Sequence, residues 1–265
     1  MDESVVADVI ARSGPIPFEE FQHQALYGPG GFFADGAVKS TAAGDFLTSP
    51  EVSPWFGRAI TYWAKDVLAE VEGPARIVDV GAGSGSLLAS MAPLVPETLT
   101  LTAVEVSPPA VDRLRDLGFE VFSSLEEVPS DLPEVVVANE LVDNLVVAIV
   151  VRTTDGWEER WVANHNGTLT FVPHPCRPEV AAWANSFGGD VPVGGLVEVQ
   201  LAAFRWLTDV LARPRLRAAL VIDYGETAEG LLPRRTMGTL RTYRAHHLGP
   251  DPLTAPGETD ITVDV

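Results

Sequence analysis

The feature that most constrains the fold is a turn of alternating glycines in the sequence ARIVDVGAGSGSLLASM, residues 75–91. An apolar run stops at Gly81, and the residues after Gly85 have the apolar spacing of a helix. Glycine permits positive φ angles and puts no Cβ between a ligand and the backbone. The turn therefore predicts a strand, a tight connection and a helix, with the amides of residues 83–86 facing a ligand.

The spacing of the glycines narrows the class of ligand. No Gly-Lys-Ser/Thr follows, which excludes a P-loop, and Ser86 stands where the dinucleotide pattern G-x-G-x-x-G has its third glycine. The observed G-x-G-x-G is typical of methyltransferases that use S-adenosylmethionine. A tight connection that holds no ligand is the alternative for this turn taken alone.

The predicted second strand, LTLTAVEVS, ends near Glu105. This acid follows the last glycine by about 20 residues, a position from which a carboxylate accepts hydrogen bonds from both ribose hydroxyls of a nucleoside. The same acid suits NAD, so a nicotinamide-dependent oxidoreductase stays an alternative.

Alternating strands and helices predict the fold class. The runs RIVDVG, LTLTAVEVS, EVFSSL and EVVVANE are separated by helical patterns. Strands that are apolar on both faces indicate a parallel sheet covered on both sides, which makes the core an α/β sandwich. Residues 147–175 break this rhythm with Asp155-Gly156 and Asn166-Gly167 between β-rich runs, a hairpin signature.

We expect one domain made of four segments. Residues 1–57 form an N-terminal cap of short helices and ordered loops, and residues 58–146 form the cofactor-binding half. Residues 147–200 insert the hairpin and a helix near 178–187. Residues 201–265 add a long helix and the last strands.

A polar turn after the fourth strand, in VVVANELVDNL, is the candidate transfer site. Its members are Asn139, Glu140 and Asp143. Two carboxylates three residues apart fall on one side of such a turn and can hold a guanidinium, so that one of its nitrogens recovers a lone pair. Methyl transfer needs alignment and proton removal but no covalent intermediate. An exposed polar turn without function is the alternative.

The segment GDFLTSPEVSPWFG, residues 44–57, gathers polar residues around two prolines: Asp45, Thr48, Ser49 and Glu51. Ser49-Pro50-Glu51 is a natural start for a helix. Helix capping alone and a lid over the cofactor are equally supported.

Composition excludes several classes of function. The 37 acidic and 18 basic residues give a net charge of −19, which repels nucleic acids and anionic membranes and favours a cationic substrate, or simply keeps the protein soluble. The acidic N-terminus and the lack of an apolar run of about 20 residues predict a cytoplasmic protein without a membrane span. The single Cys176 and the scattered histidines predict no disulfide and no metal site.

These motifs together resemble the MidA family of class I methyltransferases, which includes the mitochondrial complex I assembly methyltransferase. The matching pieces run nearly from end to end: GPIPFEEFQHQALYGPGGFF, GDFLTSPEVSPWFG, VDVGAGSGSLL, VEVSP, ANELVDNL, LVIDYGE, GTLRTYRAHH and DPLTAPGETDITVDV. The glycine motif is shared by many methyltransferases, whereas the ordered set is far more specific.

The resemblance implies a Rossmann-like methyltransferase core, bound S-adenosylmethionine and, by analogy with the mitochondrial member, methylation of arginine in a protein partner. Carried onto this chain, it implies three groups of residues. The cofactor set is Asp79, Gly81, Ala82, Gly83, Ser84, Gly85 and Glu105; the lid over the cofactor comprises Gly44, Asp45, Phe46 and Thr48; and the transfer site comprises Asn139, Glu140 and Asp143.

The chain departs from the family pattern in three places. Asp79 stands where the family commonly has Glu, and the run NLVVAIV lacks the usual proline after Asp143. The chain also stops at Val265, inside a segment that usually continues. These departures keep two alternatives open, an assembly protein that binds the cofactor without transferring a methyl group and a methyltransferase for small amines or hydroxyls.

Overall fold

The computed structural model describes residues 3–34, 38, 49–244, 247–249 and 251–265. The chain divides into two compact units. One contains Met1–Ala34, Val142–Arg205 and Tyr224–Val265, and the other contains Asp35–Leu141 and Trp206–Asp223. We call them the antiparallel unit and the parallel unit, after the main sheet of each.

The helices and strands are numbered in chain order within the described residues. The helices are α1 (Glu3–Ser13), α2 (Phe18–Tyr27), α3 (Ser49–Val52), α4 (Pro54–Val67), α5 (Ser86–Met91), α6 (Pro108–Asp116), α7 (Pro178–Phe187), α8 (Leu201–Leu211) and α9 (Ala228–Leu231). The strands are β1 (Ile16–Pro17), β2 (Ala75–Val80), β3 (Leu99–Val104), β4 (Glu120–Phe122), β5 (Glu134–Asn139), β6 (Ala148–Arg152), β7 (Trp157–His165), β8 (Thr168–Pro175), β9 (Leu196–Val199), β10 (Leu216–Ile222), β11 (Arg241–Arg244), β12 (His247–Leu248) and β13 (Asp260–Thr262). Single 3₁₀ turns cover Ala92–Leu94, Leu125–Glu127, Val142–Asn144 and Leu232–Arg234.

The parallel unit is built on a sheet whose described strands follow the order β10-β5-β2-β3-β4, with every pairing parallel. The central strand β2 is buried along its whole length. Alternate side chains enter two cores: Ile77 and Val137 pack with α4 and α5, while Val78 and Val136 pack with the end of α8. Because both faces of the sheet are covered, apolar side chains occur on both faces of these strands.

The antiparallel unit contains the hairpins. The described strands of its main sheet pair in the order β1-β7-β6-β9, and β8 pairs with β7 in addition. A separate small sheet has β11 between β12 and β13. At the tip between β7 and β8, Asn166 has φ 53° and Gly167 has φ 89°, the two positive values that a type I′ hairpin turn requires. Gln22 of α2 is fully buried, and its side-chain oxygen accepts a hydrogen bond of 2.9 Å from the amide of Val147.

An ion pair with one fully buried partner connects several elements of the antiparallel unit. Glu159 of β7 is 0% exposed, and its carboxylate accepts hydrogen bonds from the guanidinium of Arg177, the shortest of them 2.7 Å. Arg177 also donates to Glu19 of α2 at 2.9 Å. These contacts join α2 to the hairpin and to the residue before α7.

The predicted α/β fold, with its parallel sheet and hairpin insertion, is confirmed. The helix α4 crosses the predicted boundary between residues 57 and 58. It begins at Pro54, where the Ser53 hydroxyl caps it by accepting a hydrogen bond of 3.2 Å from the amide of Trp55. The division into four segments of one domain stays a prediction. None of the described helices is long and apolar enough to cross a membrane.

Candidate active site

Three neighbouring strands of the parallel unit bring the predicted cofactor residues to one edge of the sheet. Gly81 follows β2, Glu105 follows β3, and Asn139 ends β5. These strands pair in parallel in the order β5-β2-β3, so their carboxyl ends lie at the same edge. Ligands of open α/β sheets bind beyond this edge.

The glycine turn has a backbone that side chains would disrupt. Gly81, Gly83 and Gly85 have φ angles of 73°, 51° and 79°. A Cβ at Gly81 would lie 2.9 Å from a methyl carbon of Leu141, and a Cβ at Gly85 would lie 2.9 Å from one of Leu114. The positive φ angles favour glycine at all three positions, and at Gly81 and Gly85 a Cβ would also require a leucine side chain to move.

Glu105 binds the turn itself. One carboxylate oxygen accepts a hydrogen bond of 2.7 Å from the amide of Gly83, and the other accepts bonds of 2.8 Å from the amides of Val106 and Ser107. A carboxylate offers about four lone-pair sites, so these three bonds leave about one for a ligand. Glu105 is thus a fixed acceptor that also orders the turn.

Asp79 is the second acid at this edge. It is 2% exposed, and burial, followed by the nearby charge of Glu105, raises the pKa of Asp79 to about 8. Its Oδ2 atom has no hydrogen-bond partner among the described residues. A buried polar atom without a partner costs free energy, which a donor on a bound ligand would recover.

The side chains of Ala82 and Ser84, two further predicted cofactor residues, already contact other parts of the protein. The side chain of Ala82 lies in an apolar cluster with Leu88, Ala103 and Leu114. The hydroxyl of Ser84 donates to the carboxylate of Glu51. Ala82 and Ser84 can therefore contribute backbone atoms to a ligand more readily than side chains.

Two side chains that the sequence pattern did not assign to the turn, those of Glu51 and Arg113, also hold it. Glu51 of α3 accepts hydrogen bonds from the hydroxyls of Ser84 and Ser86, and the second of these measures 2.7 Å. The guanidinium of Arg113 in α6 donates to the carbonyl of Ser84 at 2.7 Å. The only signal in the sequence was the position of Glu51 at a predicted helix start, which does not reveal a contact 33 residues away.

The end of β5 has an unusual backbone. Glu140 has a positive φ of 51°, which is uncommon for a residue other than glycine and occurs often at functional sites. Its amide donates a hydrogen bond of 2.8 Å to the carbonyl of Ile222 in β10. The Oδ1 atom of Asn139, just before it, is buried without a hydrogen-bond partner among the described residues.

Asp143, the third predicted transfer residue, belongs to the antiparallel unit. It is 8% exposed, and its backbone carbonyl accepts a hydrogen bond of 3.0 Å from the amide of Val263. The next residue, Asn144, donates 3.0 Å to a carboxylate oxygen of Asp260. Asn139 and Glu140 share one unit, whereas Asp143 is anchored within the other, and its role in transfer stays a prediction.

The predicted lid falls outside the described residues, since Gly44, Asp45, Phe46 and Thr48 all lie in the part of the chain that the structure leaves undescribed. The described remainder of that segment forms α3 and the start of α4, which agrees with the helix starts expected there. In the described part of the chain, no group of three or more His, Cys, Asp or Glu side chains could hold a metal ion. The absence of a metal site stays a prediction.

Comparison with known proteins identifies the family. The family described as "Putative S-adenosyl-L-methionine-dependent methyltransferase" matches residues 59–265. The chain belongs to this methyltransferase family.

A solved COG1565 superfamily member from Burkholderia thailandensis, bound to S-adenosyl-homocysteine, superposes with a TM-score of 0.86 at 29% identity, over 99% of this chain and 72% of that one. The native form of a COG1565 protein from the same organism superposes with a TM-score of 0.82 at 31% identity, over 99% and 71%.

Curated relatives are mitochondrial proteins. Protein arginine methyltransferase NDUFAF7 of Xenopus tropicalis is 28% identical over 97% of this chain and 66% of its own length, and that of Bos taurus is 27% identical over 97% and 65%. The chain thus spans about two thirds of their length. The predicted cytoplasmic location is wrong in the light of these relatives, because all of them are labelled mitochondrial.

The residues at the sheet edge fit the cofactor of this methyltransferase family, S-adenosylmethionine. The molecule carries ribose hydroxyls, an amino group and a carboxylate, so it needs both acceptors and donors. Glu105 has an acceptor site left, Asp79 has a buried oxygen without a partner among the described residues, and the glycine turn exposes backbone without Cβ atoms. The bound cofactor supplies an activated methyl group on a sulfonium.

Proposed function

We propose that this methyltransferase transfers a methyl group to an arginine side chain of a protein substrate. The observation that carries the proposal is the position of Asn139 and Glu140 at the carboxyl end of β5, the edge that also holds the glycine turn. The names of the curated relatives, which are protein arginine methyltransferases, support the same acceptor. The net charge of −19 favours a cationic substrate.

The chemistry requires a group that holds a guanidinium and manages one proton. Transfer forms a bond between nitrogen and the methyl carbon, breaks the bond between that carbon and sulfur, and releases a proton. A carboxylate at Glu140 can bind the guanidinium by charge-assisted hydrogen bonds and localise its charge, so that the attacking nitrogen regains a lone pair. The side-chain oxygen of Asn139 provides a neutral acceptor beside it.

The test is a transfer assay with S-adenosylmethionine carrying a tritiated methyl group and a lysate of mitochondria or of bacteria as the source of acceptors. We expect label in protein, released as methylarginine after acid hydrolysis. Glu140→Gln should lower transfer at least about a hundredfold, the usual contribution of an acid–base group, and leave the Kd for S-adenosylhomocysteine unchanged. Glu120→Gln, on the exposed start of β4, is the matched control.

Each other outcome contradicts the proposal in a distinct way. Label that appears only in small molecules would identify a small-molecule methyltransferase. Binding of the cofactor without any labelled product would favour an assembly protein that transfers nothing. Equal transfer by wild type and Glu140→Gln would remove Glu140 from the acceptor site.

A further inference from the structure

Glu51 connects the segment before α4 to the glycine turn. Its Oε1 atom accepts hydrogen bonds from two hydroxyls, those of Ser84 and Ser86. The Ser84 hydroxyl oxygen in turn accepts the amide of Ser86 at 3.3 Å. A single carboxylate oxygen thus spans Gly85, because the two serines stand on either side of it.

Ser84 is held at more than one atom. Its hydroxyl contacts Glu51, while its carbonyl accepts a hydrogen bond of 2.7 Å from Arg113. At the preceding residue, the carboxylate of Glu105 accepts a hydrogen bond of 2.7 Å from the amide of Gly83. Three side chains that lie far away in the sequence, those of Glu51, Glu105 and Arg113, therefore hold residues 83–86.

A close helix contact places Glu51 at the turn. The glycine of α4, Gly57, packs on α5 so tightly that a Cβ there would lie 1.7 Å from the hydroxyl oxygen of Ser90. Thr61, one turn further along α4, donates from its hydroxyl to the Gly57 carbonyl at 2.7 Å. Because α3 immediately precedes α4, this contact brings Glu51 to the beginning of α5.

We propose that Glu51 is a positioning residue for the cofactor, which holds the turn in its ligand-binding arrangement through Ser84 and Ser86. An ordered turn loses less conformational entropy when a ligand binds, so removing Glu51 weakens binding even where the fold survives. The proposal rests on the cofactor that the family uses and not on the proposed arginine acceptor.

The experiment measures the Kd for S-adenosylhomocysteine by calorimetry, together with thermal unfolding of the free protein. Glu51→Ala should raise the Kd about tenfold, the scale expected for losing charge-assisted hydrogen bonds. Glu51→Gln keeps an oxygen acceptor and should stay within about threefold of wild type. Glu70→Ala, at an exposed position after α4, is the control for loss of a carboxylate.

A double-mutant cycle separates positioning from general stabilisation. In a Ser84→Ala/Ser86→Ala background, Glu51→Ala should change the Kd by less than about twofold, because its partners are already gone. A folded Glu51→Ala protein with the wild-type Kd would overturn the proposal, as would an equal effect of the substitution in both backgrounds. Wild-type protein that binds no S-adenosylhomocysteine would overturn it together with the cofactor assignment, whereas failure of the transfer assay alone would leave it intact.

Discussion

The amide of Gly83 donates a hydrogen bond of 2.7 Å to the carboxylate of Glu105, which lies 22 residues further along the chain. The acid at the end of β3 therefore does two things at once, since it orders the glycine turn and keeps an acceptor site for a ligand. Ligand binding and local stability are coupled at this residue.

Glu105→Ala should weaken binding of S-adenosylhomocysteine by at least about tenfold and lower the free energy of unfolding by about 1–3 kcal/mol. The reason is that three backbone amides, those of Gly83, Val106 and Ser107, lose their acceptor. Calorimetry and urea unfolding measure the two effects. Loss of binding at unchanged stability would contradict the structural half of this role.

Asp79→Asn should change how stability depends on pH. Burial and the charge of Glu105 raise the pKa of Asp79 from 3.8 to about 8, so the folded protein keeps a proton that the unfolded chain loses near pH 4. The contribution of this group is fully present below pH 4 and is lost as the pH rises to about 8, by up to about 1.4 kcal/mol per pH unit.

The Asp79→Asn variant lacks this titration, so its stability relative to wild type should improve steadily from pH 5 to pH 8. Urea unfolding at several pH values tests the prediction. Parallel curves for the two proteins would show that Asp79 ionises normally in the folded state.

Gly85→Ala should destabilise the protein more than Gly118→Ala does. Both glycines have positive φ angles, 79° and 86°, so both substitutions cost about 1–2 kcal/mol of backbone strain. A Cβ at Gly85 would also meet Leu114 at 2.9 Å and Leu117 at 3.0 Å, while a Cβ at Gly118 would meet nothing within 4 Å.

We expect only Gly85→Ala to weaken binding of S-adenosylhomocysteine, because Gly118 lies at the end of α6 and not in the turn. Denaturant unfolding and calorimetry on both variants make the comparison. Equal losses of stability would mean that strain, and not packing, accounts for the glycine at position 85.

Cys176 should react slowly with iodoacetamide in the folded protein. Burial, followed by the negative charge of Glu159, raises the pKa of this thiol to about 11, and the thiolate is the reactive form. The chain has one cysteine, so mass spectrometry reports its alkylation without ambiguity. Labelling at pH 8 should be many times slower in the native protein than in the urea-unfolded protein. Equal labelling rates would contradict a raised pKa of the Cys176 thiol in the folded state.

Local patterns predicted much of the fold. The apolar runs that became β2, β3 and β5 are bounded by turn signals and separated by helical spacing, which is information carried within a few residues. The hairpin tip at Asn166-Gly167 was equally local, since a type I′ turn needs two residues that tolerate positive φ. The pairing of β1 with β7 had no such signal, because two residues show no periodicity.

Local patterns also predicted some residues of the candidate site and not others. Gly81, Gly85 and Glu105 follow strands whose directions the pattern already implied, so their shared sheet edge could be expected. Glu51 reaches the turn through packing between distant segments, such as that of Gly57 on α5, which no spacing in the sequence encodes. The division of the chain into two compact units could not be predicted from local patterns either, because each unit joins segments that are distant in the chain.

The sequence by itself determined the class of this protein: a parallel α/β core, a glycine turn for a nucleoside-type cofactor and the methyltransferase family. Those conclusions depend on short-range geometry, on which residues tolerate a positive φ and which faces must be buried. Only the tertiary structure decided that Glu105 holds the turn it was expected to serve, that burial raises the pKa of Asp79 to about 8, and that Glu51 contacts the glycine turn. Each of those depends on burial and on atoms brought together from distant parts of the chain, which packing alone determines.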